Sequence, residues 1–344
     1  MSRIAVLGTG GNGSSAAADL VAGGNHDVVL IDQWPAHVEA MRADGLRICM
    51  PDRELSVPVR ALHLCDLRSV RLTFDVVLLA VKAYDTRWAC ELIRPYLAPD
   101  GLLVGLQNGM TVETVVDVVG SSRTVGCVVE LSSELFTPGV VKRNTPPEKT
   151  WFAIGSPDGA TESRLPEVAD ILREVGTVSI SPDIMSAKWT KLVVNAMGLG
   201  PDGLVGLAIA ESAQLSDMRD LCRQIGEEAL AVGETAGYTL QPLFGLRAED
   251  LEGPDLVLDQ LMGKLVGDLS ATSARSCVLQ DHLKGRYSEV DAINGLIADL
   301  GQAFDVSTPA NTVLVELTRQ IFEGELQPDR SNLELTRRLL ADGS

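Results

Sequence analysis

The sequence predicts an α/β N-terminal domain, built on a doubly wound parallel sheet, followed by an all-α C-terminal domain. Three observations carry this. Through the first half, short and continuously apolar runs alternate with helical stretches; strands of that kind are buried on both faces, as in a parallel sheet covered by helices. A glycine-rich loop, "VLGTGGNGSS" (residues 6–15), joins the first such run to the first helix. From about residue 183 onward the periodicity turns helical, with few strand-like segments. The expected division is 1–182 and 183–344, since 344 residues are too many for one ordinary core.

Each element has its own signal. "RIAVLG" is the first strand, and "GNGSSAAADLVAGG" a helix with small residues at helical spacing that ends on glycines. "HDVVLID" is the second strand. "PAHVEAMRADG" is a helix with Pro35 at its start and Gly45 beyond its end. "TFDVVLLAV" and "GLLVGLQNG" are further buried strands, and "GVVKRNT", "TWFAIG" and "GTVSIS" are later, shorter ones. Beyond "SPDIMSAKW", the clearest amphipathic helices are 210–237 and 288–304.

Charge and composition exclude several classes of function. A net charge of −18 argues against nucleic acid and against an anionic membrane surface. No apolar run reaches the ~20 residues of a membrane helix, and no cleavable hydrophobic segment follows "MSR", so the cytoplasm is the expected location. The six cysteines form no C-x-x-C pair and read as reduced thiols, mostly in the core. The four histidines lack metal-ligand spacing, and no metal is expected. An acidic protein can still take an anionic small molecule where a few lysines gather in one cleft.

The glycine loop lies where a dinucleotide fingerprint has to lie, after a strand and opening a helix. Gly8 permits the tight turn, Gly10 lets the backbone approach a pyrophosphate, and Gly13 lets helix pack on strand. Gly11 and Asn12 complete the loop, and the helix N-terminus offers N–H groups to the phosphates. Taken alone, the loop is also compatible with a plain turn. Asp32 decides between the two: it closes the second strand 19 residues after Gly13, where a carboxylate accepts hydrogen bonds from the adenine ribose. The domain is therefore read as Rossmann-type. The residues after Asp32, "QWPAH", contain no Arg or Lys to offset a 2′-phosphate, so NAD(H) is expected over NADP(H). His37 is read as a surface histidine that relaxes this preference only if protonated.

Reducing a carbonyl requires a proton donor beside its oxygen. In "KWTKLVVNAMGLG" (188–200), Lys191 and Asn195 are four residues apart and share a helix face within an apolar segment. A half-buried lysine there can act as acid or base; a lysine that snorkels to water is the competing reading. In "RYSEVDAINGL", Glu289 opens a helix. Ser288 as N-cap and Asp291 in a capping box would make Glu289 merely structural.

With these motifs in order along nearly its whole length, the chain resembles the ketopantoate reductase (2-dehydropantoate 2-reductase) family. The motifs are the glycine loop, "AVKAYDT" with Lys82, "LQNGM" with Asn108, "WTKLVVN", and "SCVLQD" followed by "SEVDAING". The resemblance implies an NAD(P)-dependent dehydrogenase or reductase acting on a CH–OH group. Lys191 is then the general acid and Glu289 a catalytic partner that bonds the substrate hydroxyl and helps orient the lysine or the cofactor ribose. Asn195 is implied to bind substrate, and Lys82 and Asn108 to line the cofactor and the cleft between domains. A homodimer through the helical domain is also implied.

Two substitutions depart from the family pattern. Leu199 stands where the family often has a second asparagine, and Cys277 where it has the second serine of its "S-S-M-L-Q-D" motif. Losing hydrogen bonds to a charged group costs about 1.5–3 kcal/mol each. A 2-oxo acid other than ketopantoate, or a related carbonyl or alcohol with an apolar group near Leu199, is therefore the expected substrate. An NAD preference, a third departure, fits the oxidative direction. An authentic 2-dehydropantoate 2-reductase and a non-catalytic NAD sensor are the alternatives.

Overall fold

The computed structural model describes residues 1–243, 257–260, 263 and 273–342. The chain divides into two units, Met1–Met185 and Ser186–Ser344. In the first, the apolar runs become strands: β1 (Arg3–Leu7), β2 (Asp27–Asp32), β3 (Leu46–Cys49), β4 (Glu54–Val57), β5 (Arg60–His63), β6 (Phe74–Leu79), β7 (Leu97–Gly105), β8 (Thr124–Glu130), β9 (Ser133–Thr137), β10 (Val140–Arg143), β11 (Trp151–Gly155) and β12 (Thr177–Ile180). Eight of them form one sheet, in the order β12-β11-β8-β7-β6-β1-β2-β5. Every pairing in it is parallel except β11 on β8. The first six strands of this sheet follow the 3-2-1-4-5-6 order of dinucleotide-binding folds. The order reverses between β1 and β6, and the loops leaving those two strands flank the crevice where such sheets take ligands.

Helices cover both faces. Ile4, Val6 and Leu78 pack with Ala16, Ala17 and Leu20 of α1 (Gly11–Gly23), whereas Ala5, Leu7 and Leu79 pack with Ala89 and Ile93 of α3 (Thr86–Ile93). Successive residues of one strand thus enter two different cores, which is why these strands read as continuous apolar runs. The remaining helices of the unit are α2 (Pro35–Asp44), α4 (Val112–Val119) and α5 (Leu165–Leu172).

The short strands β4-β3-β10-β9 form a second sheet that the sequence does not announce. It lies against α1 and is fastened by a buried ion pair, Arg143 to Asp19 at 2.5 Å. Arg143 also donates to the Thr145 carbonyl and to Thr150 Oγ1, at 2.7 and 2.8 Å. Its strands are four or five residues long, and β3 pairs with β10 across about 90 residues, so no local signal reveals the pairing.

The second unit is helical: α6 (Ile184–Val205, beginning at the end of the first unit), α7 (Ile209–Ser212), α8 (Ser216–Thr235), α9 (Cys277–Leu283), a π-helical turn (Asp291–Gly295), α10 (Leu296–Phe304), α11 (Pro309–Glu323) and α12 (Asn332–Asp342). Two expected helices are modified. The 210–237 segment breaks after Ser212, whose hydroxyl turns inward to the buried Asp202 and to the Ile209 carbonyl. The 288–304 segment opens with the π-turn. Among the cysteines, only Cys90, Cys127 and Cys222 are core residues; Cys49 and Cys277 are half-buried and Cys65 is exposed. Among the described residues, no helix is long and apolar enough to cross a membrane.

Asp202 of α6 gives the helical unit a pH dependence. Burial pushes its pKa up to about 7, against the hydrogen bond from Ser212. A carboxyl whose folded pKa is raised contributes stability that is complete below the unfolded value and is lost as pH rises through about 7. Asp202→Asn keeps an acceptor for Ser212 and removes the charge. Thermal melts at pH 5 and pH 8 should show the variant gaining on the parent as pH rises, by on the order of a few degrees. An unchanged difference between the two pH values would contradict this.

Candidate functional site

The loop after β1 is shaped by close approaches that only glycine allows. Gly8 has φ +92°, and a Cβ there would lie 2.7 Å from the Val81 nitrogen in the loop leaving β6. A Cβ on Gly13 would lie 2.1 Å from the Gly8 carbonyl oxygen, so α1 rests directly on the turn. Gly11 is required by packing, because a Cβ there would meet the Ser133 carbonyl oxygen of β9 at 2.7 Å. Gly10, the N-cap of α1, differs from these three: a Cβ there would meet nothing within 4 Å. The backbone at Gly10 therefore borders open space in front of the first turn of α1, beside Asn12. This geometry fits a pyridine dinucleotide, whose pyrophosphate needs bare backbone at a helix N-terminus.

Asp32 ends β2 and is 8% exposed. Its Oδ2 accepts from the Thr9 N–H at 2.6 Å and from the Thr9 hydroxyl at 2.9 Å; its Oδ1 accepts from the Trp34 N–H at 2.8 Å. The carboxylate thus holds the glycine loop as well as closing the strand. His37, expected at the surface, is instead fully buried. Its Nδ1 accepts from the Gly139 N–H at 2.9 Å, so the proton lies on Nε2, 2.9 Å from the Thr9 carbonyl. Burial lowers its pKa, against the pull of the Asp32 carboxylate. Nothing local in "QWPAH" signals this burial: His37 is drawn in because the turn between β9 and β10 brings Gly139 over α2.

Lys82 and Asn108 follow β6 and β7 and are both half-buried. Between them lies a residue that the motif reading passed over. Gln107 is buried and donates to the Val81 carbonyl and to Thr86 Oγ1, at 2.9 Å each, which ties the Asn108 loop to the Lys82 loop. Its position next to Asn108 in "LQNGM" was the available signal.

In the helical unit, the remaining candidates gather on α6 or on segments bonded to it. Trp189 stacks on Tyr238, with ring centres 4.8 Å apart, and its indole nitrogen faces Gly233 of α8, where a Cβ would lie 1.9 Å away. Lys191 and Asn195 follow at four-residue spacing; Lys191 is half-buried and Asn195 is 3% exposed. The helix continues through Gly198, Gly200 and Pro201 to Val205, so Leu199 stays on the Lys191–Asn195 face. Ser276 caps α9, accepting from the Leu279 N–H at 3.2 Å, and donates its one hydroxyl hydrogen to the Leu199 carbonyl at 3.0 Å. Cys277 follows, half-buried. Glu289 is 4% exposed, just before the π-turn. The expected capping box does not form: Asp291 instead accepts from Arg319, at 2.6 Å, and from the Tyr287 hydroxyl. Asn294 of the same turn donates to the Ala196 carbonyl at 3.2 Å. Both C-terminal motifs are thus bonded to one stretch of α6, at Ala196 and Leu199.

Two family descriptions match this chain: "Ketopantoate reductase PanE/ApbA" over residues 4–157, and its C-terminal counterpart over residues 183–322. The chain belongs to the ketopantoate reductase family. It is an oxidoreductase of the kind that acts on a CH–OH group. The 2-dehydropantoate 2-reductase of Mesorhizobium japonicum is 28% identical over 341 residues, 93% of this chain and 97% of the relative. A ketopantoate reductase structure from Ralstonia eutropha JMP134 is 27% identical with a TM-score of 0.77, covering 94% of this chain and 99% of that one. D-mandelate dehydrogenase, solved with NADH and anilino(oxo)acetate, has a TM-score of 0.81 over the same shares of the two chains. Its 21% identity makes that a likeness of fold alone.

Gly10 and Gly13 separate binding from folding. Gly13→Ala should destabilise the protein, because its methyl group meets the Gly8 carbonyl. Gly10→Ala has room, so its melting temperature should match the parent's, while fluorescence titration should show NADH affinity lowered by roughly tenfold or more. Unchanged NADH affinity in Gly10→Ala would show that the nucleotide does not approach this turn.

Proposed function

We propose that the chain is an NAD(H)-preferring oxidoreductase that interconverts a 2-oxo acid and its 2-hydroxy acid, with Lys191 as general acid and base. The observation that carries this is the assembly on α6. A half-buried lysine and a buried asparagine share one helix face, and the segment bearing the buried Glu289 is hydrogen-bonded to that helix one residue past Asn195. In the reductive direction, Lys191 passes a proton to the carbonyl oxygen of the substrate as it becomes a hydroxyl. In the oxidative direction it takes that proton back. Glu289 accepts a hydrogen bond from the substrate hydroxyl and orients the lysine ammonium, and Asn195 bonds the substrate. When bound, the nicotinamide supplies or accepts the hydride at the same carbon. Gly8, Gly10, Asn12, Gly13 and Asp32 would hold the dinucleotide, with Gly11 setting the loop's packing and with Lys82 and Asn108 beside them.

Three features support NAD(H) over NADP(H). Asp32 is an anion at the ribose position, residues 33–38 contain no Arg or Lys, and His37 is buried with Nδ1 occupied as an acceptor. A 2′-phosphate would meet like charge with no cation from this segment. The substrate reading rests on Leu199, Cys277 and Ser276. The first two offer no hydroxyl or amide, and the Ser276 hydroxyl hydrogen is committed to α6. A substrate with a larger or more apolar group suits that surface better than ketopantoate does. Authentic 2-dehydropantoate 2-reductase activity is the second reading, favoured by the names of the relatives. Cytoplasmic location and a homodimer complete the proposal. Leu283, Phe304, Phe322 and Leu339 give the helical unit exposed apolar surface for such an interface.

Lys191→Ala and Glu289→Ala should each lower turnover by roughly 100-fold or more, with NADH affinity within about twofold of the parent's. Unchanged turnover in both would remove the chemical roles proposed for these residues, and a parent protein that binds NADH but turns over no 2-oxo or 2-hydroxy acid would point to a nucleotide sensor.

A further inference from the structure

The proposed chemistry leaves one buried polar chain in the helical unit unused. It begins at Glu228 of α8. That carboxylate accepts from the Ala310 and Asn311 N–H groups at 2.9 and 3.0 Å, and from Asn311 Nδ2 at 2.7 Å. Glu228 thereby caps α11, whose own N-cap residue Thr308 makes no side-chain cap bond. The bonds from Glu228 also settle which way the Asn311 amide faces, and its Oδ1 accepts from Asn294 Nδ2 at 3.0 Å. The Asn294 amino group donates at the same time to the Ala196 carbonyl. Asn294 is 1% exposed. Its Oδ1 has no hydrogen-bond partner among the described residues and lies over Gly200, where a Cβ would come within 3.1 Å.

The orientation is forced. Turning the Asn294 amide over would set its oxygen against two acceptors, the Ala196 carbonyl and Asn311 Oδ1. Asn294 therefore keeps its amino group aimed at both and leaves the oxygen bare, although buried oxygens are normally paired. The location gives this arrangement its meaning. Asn294 lies five residues after Glu289, in a π-turn, an irregularity that in helices concentrates at functional sites. Ala196 lies five residues after Lys191.

We infer that Asn294 is a positioning residue for Glu289, holding the start of its helix in register with the Lys191–Asn195 face of α6, and that Glu228 and Asn311 orient its amide for that task. This rests on the proposed roles of Lys191 and Glu289. A misplacement of about 1 Å is enough to cost on the order of 100-fold in rate, so a clamp with no contact to substrate still reads out in turnover.

The test is a mutant cycle with a matched control. Asn294→Ala should lower kcat by roughly 10–100-fold, with the KM for substrate and the affinity for NADH within about twofold of the parent's. Asn332→Ala is the control: it removes another amide clamp from α6, at the Leu204 carbonyl (3.0 Å), away from Lys191. It should lower the melting temperature and leave kcat unchanged. In a Glu289→Gln background, adding Asn294→Ala should bring no further loss, since the residue acts through Glu289. If Asn294→Ala does not fold, Glu228→Gln serves instead, with a smaller loss of kcat that likewise disappears in the Glu289→Gln background. An equal loss with and without Glu289→Gln, or a kcat that follows melting temperature in the control as well, overturns the inference. A large loss from Glu289→Gln with none from Asn294→Ala overturns it alone. If Glu289→Gln and Lys191→Ala both leave turnover intact, the underlying functional reading falls and takes the inference with it.

Discussion

The closeness with which other segments approach helix α6 is the constraint on which the candidate catalytic residues depend. A Cβ at Gly203 would lie 2.4 Å from Val278 of α9, and one at Gly200 would lie 2.7 Å from Leu314 of α11. Bare backbone at these two positions lets α9, α11 and the π-turn reach the helix, and hydrogen bonds then fix them to it at Leu199 and Ala196. On the other side, Gly233 of α8 admits the Trp189 indole. Lys191 and Asn195 lie between these fastenings. The helix holds its candidate groups steady because its neighbours are seated on backbone, where little slack exists, rather than on long side chains.

The first unit follows the same rule at its own site. Gly13 on Gly8, Gly8 on Val81 and Gly11 on Ser133 are backbone-to-backbone approaches, and Asp32 and His37 then bind the loop through Thr9. Gly10 alone faces open space. Four glycines that look equivalent in "GTGGNG" thus have two functions. Three are consumed by packing, and one leaves room for a ligand.

Much of this was legible in the sequence, and the boundary of legibility is physical. Continuous apolar runs disclosed the parallel strands because burial on both faces leaves no alternation to misread. The glycine loop and Asp32 were readable because spacing along a strand–turn–helix unit is local. The second sheet was not: of its four strands only β10 lies in a segment read as a strand, "GVVKRNT", and its partner β3 is about 90 residues away. His37 is hidden for the same reason: its partner, Gly139, lies in the turn that joins β9 to β10 of that sheet. Asp291 fitted a capping box by spacing, yet Arg319 and Tyr287, 28 and four residues away, took its carboxylate. Asn294 lies within "SEVDAING", yet its role is not legible there, because it depends on Asn311 and Glu228, which no spacing rule connects to it.

The most direct measurement is a comparison of NADH and NADPH oxidation by the purified protein, first with ketopantoate and then with 2-oxo acids bearing larger apolar substituents. The account predicts a higher kcat/KM with NADH than with NADPH, and a higher value for an apolar 2-oxo acid than for ketopantoate. Ketopantoate reduced fastest, and with NADPH, would contradict both the reading of Asp32 and that of Leu199 and Cys277.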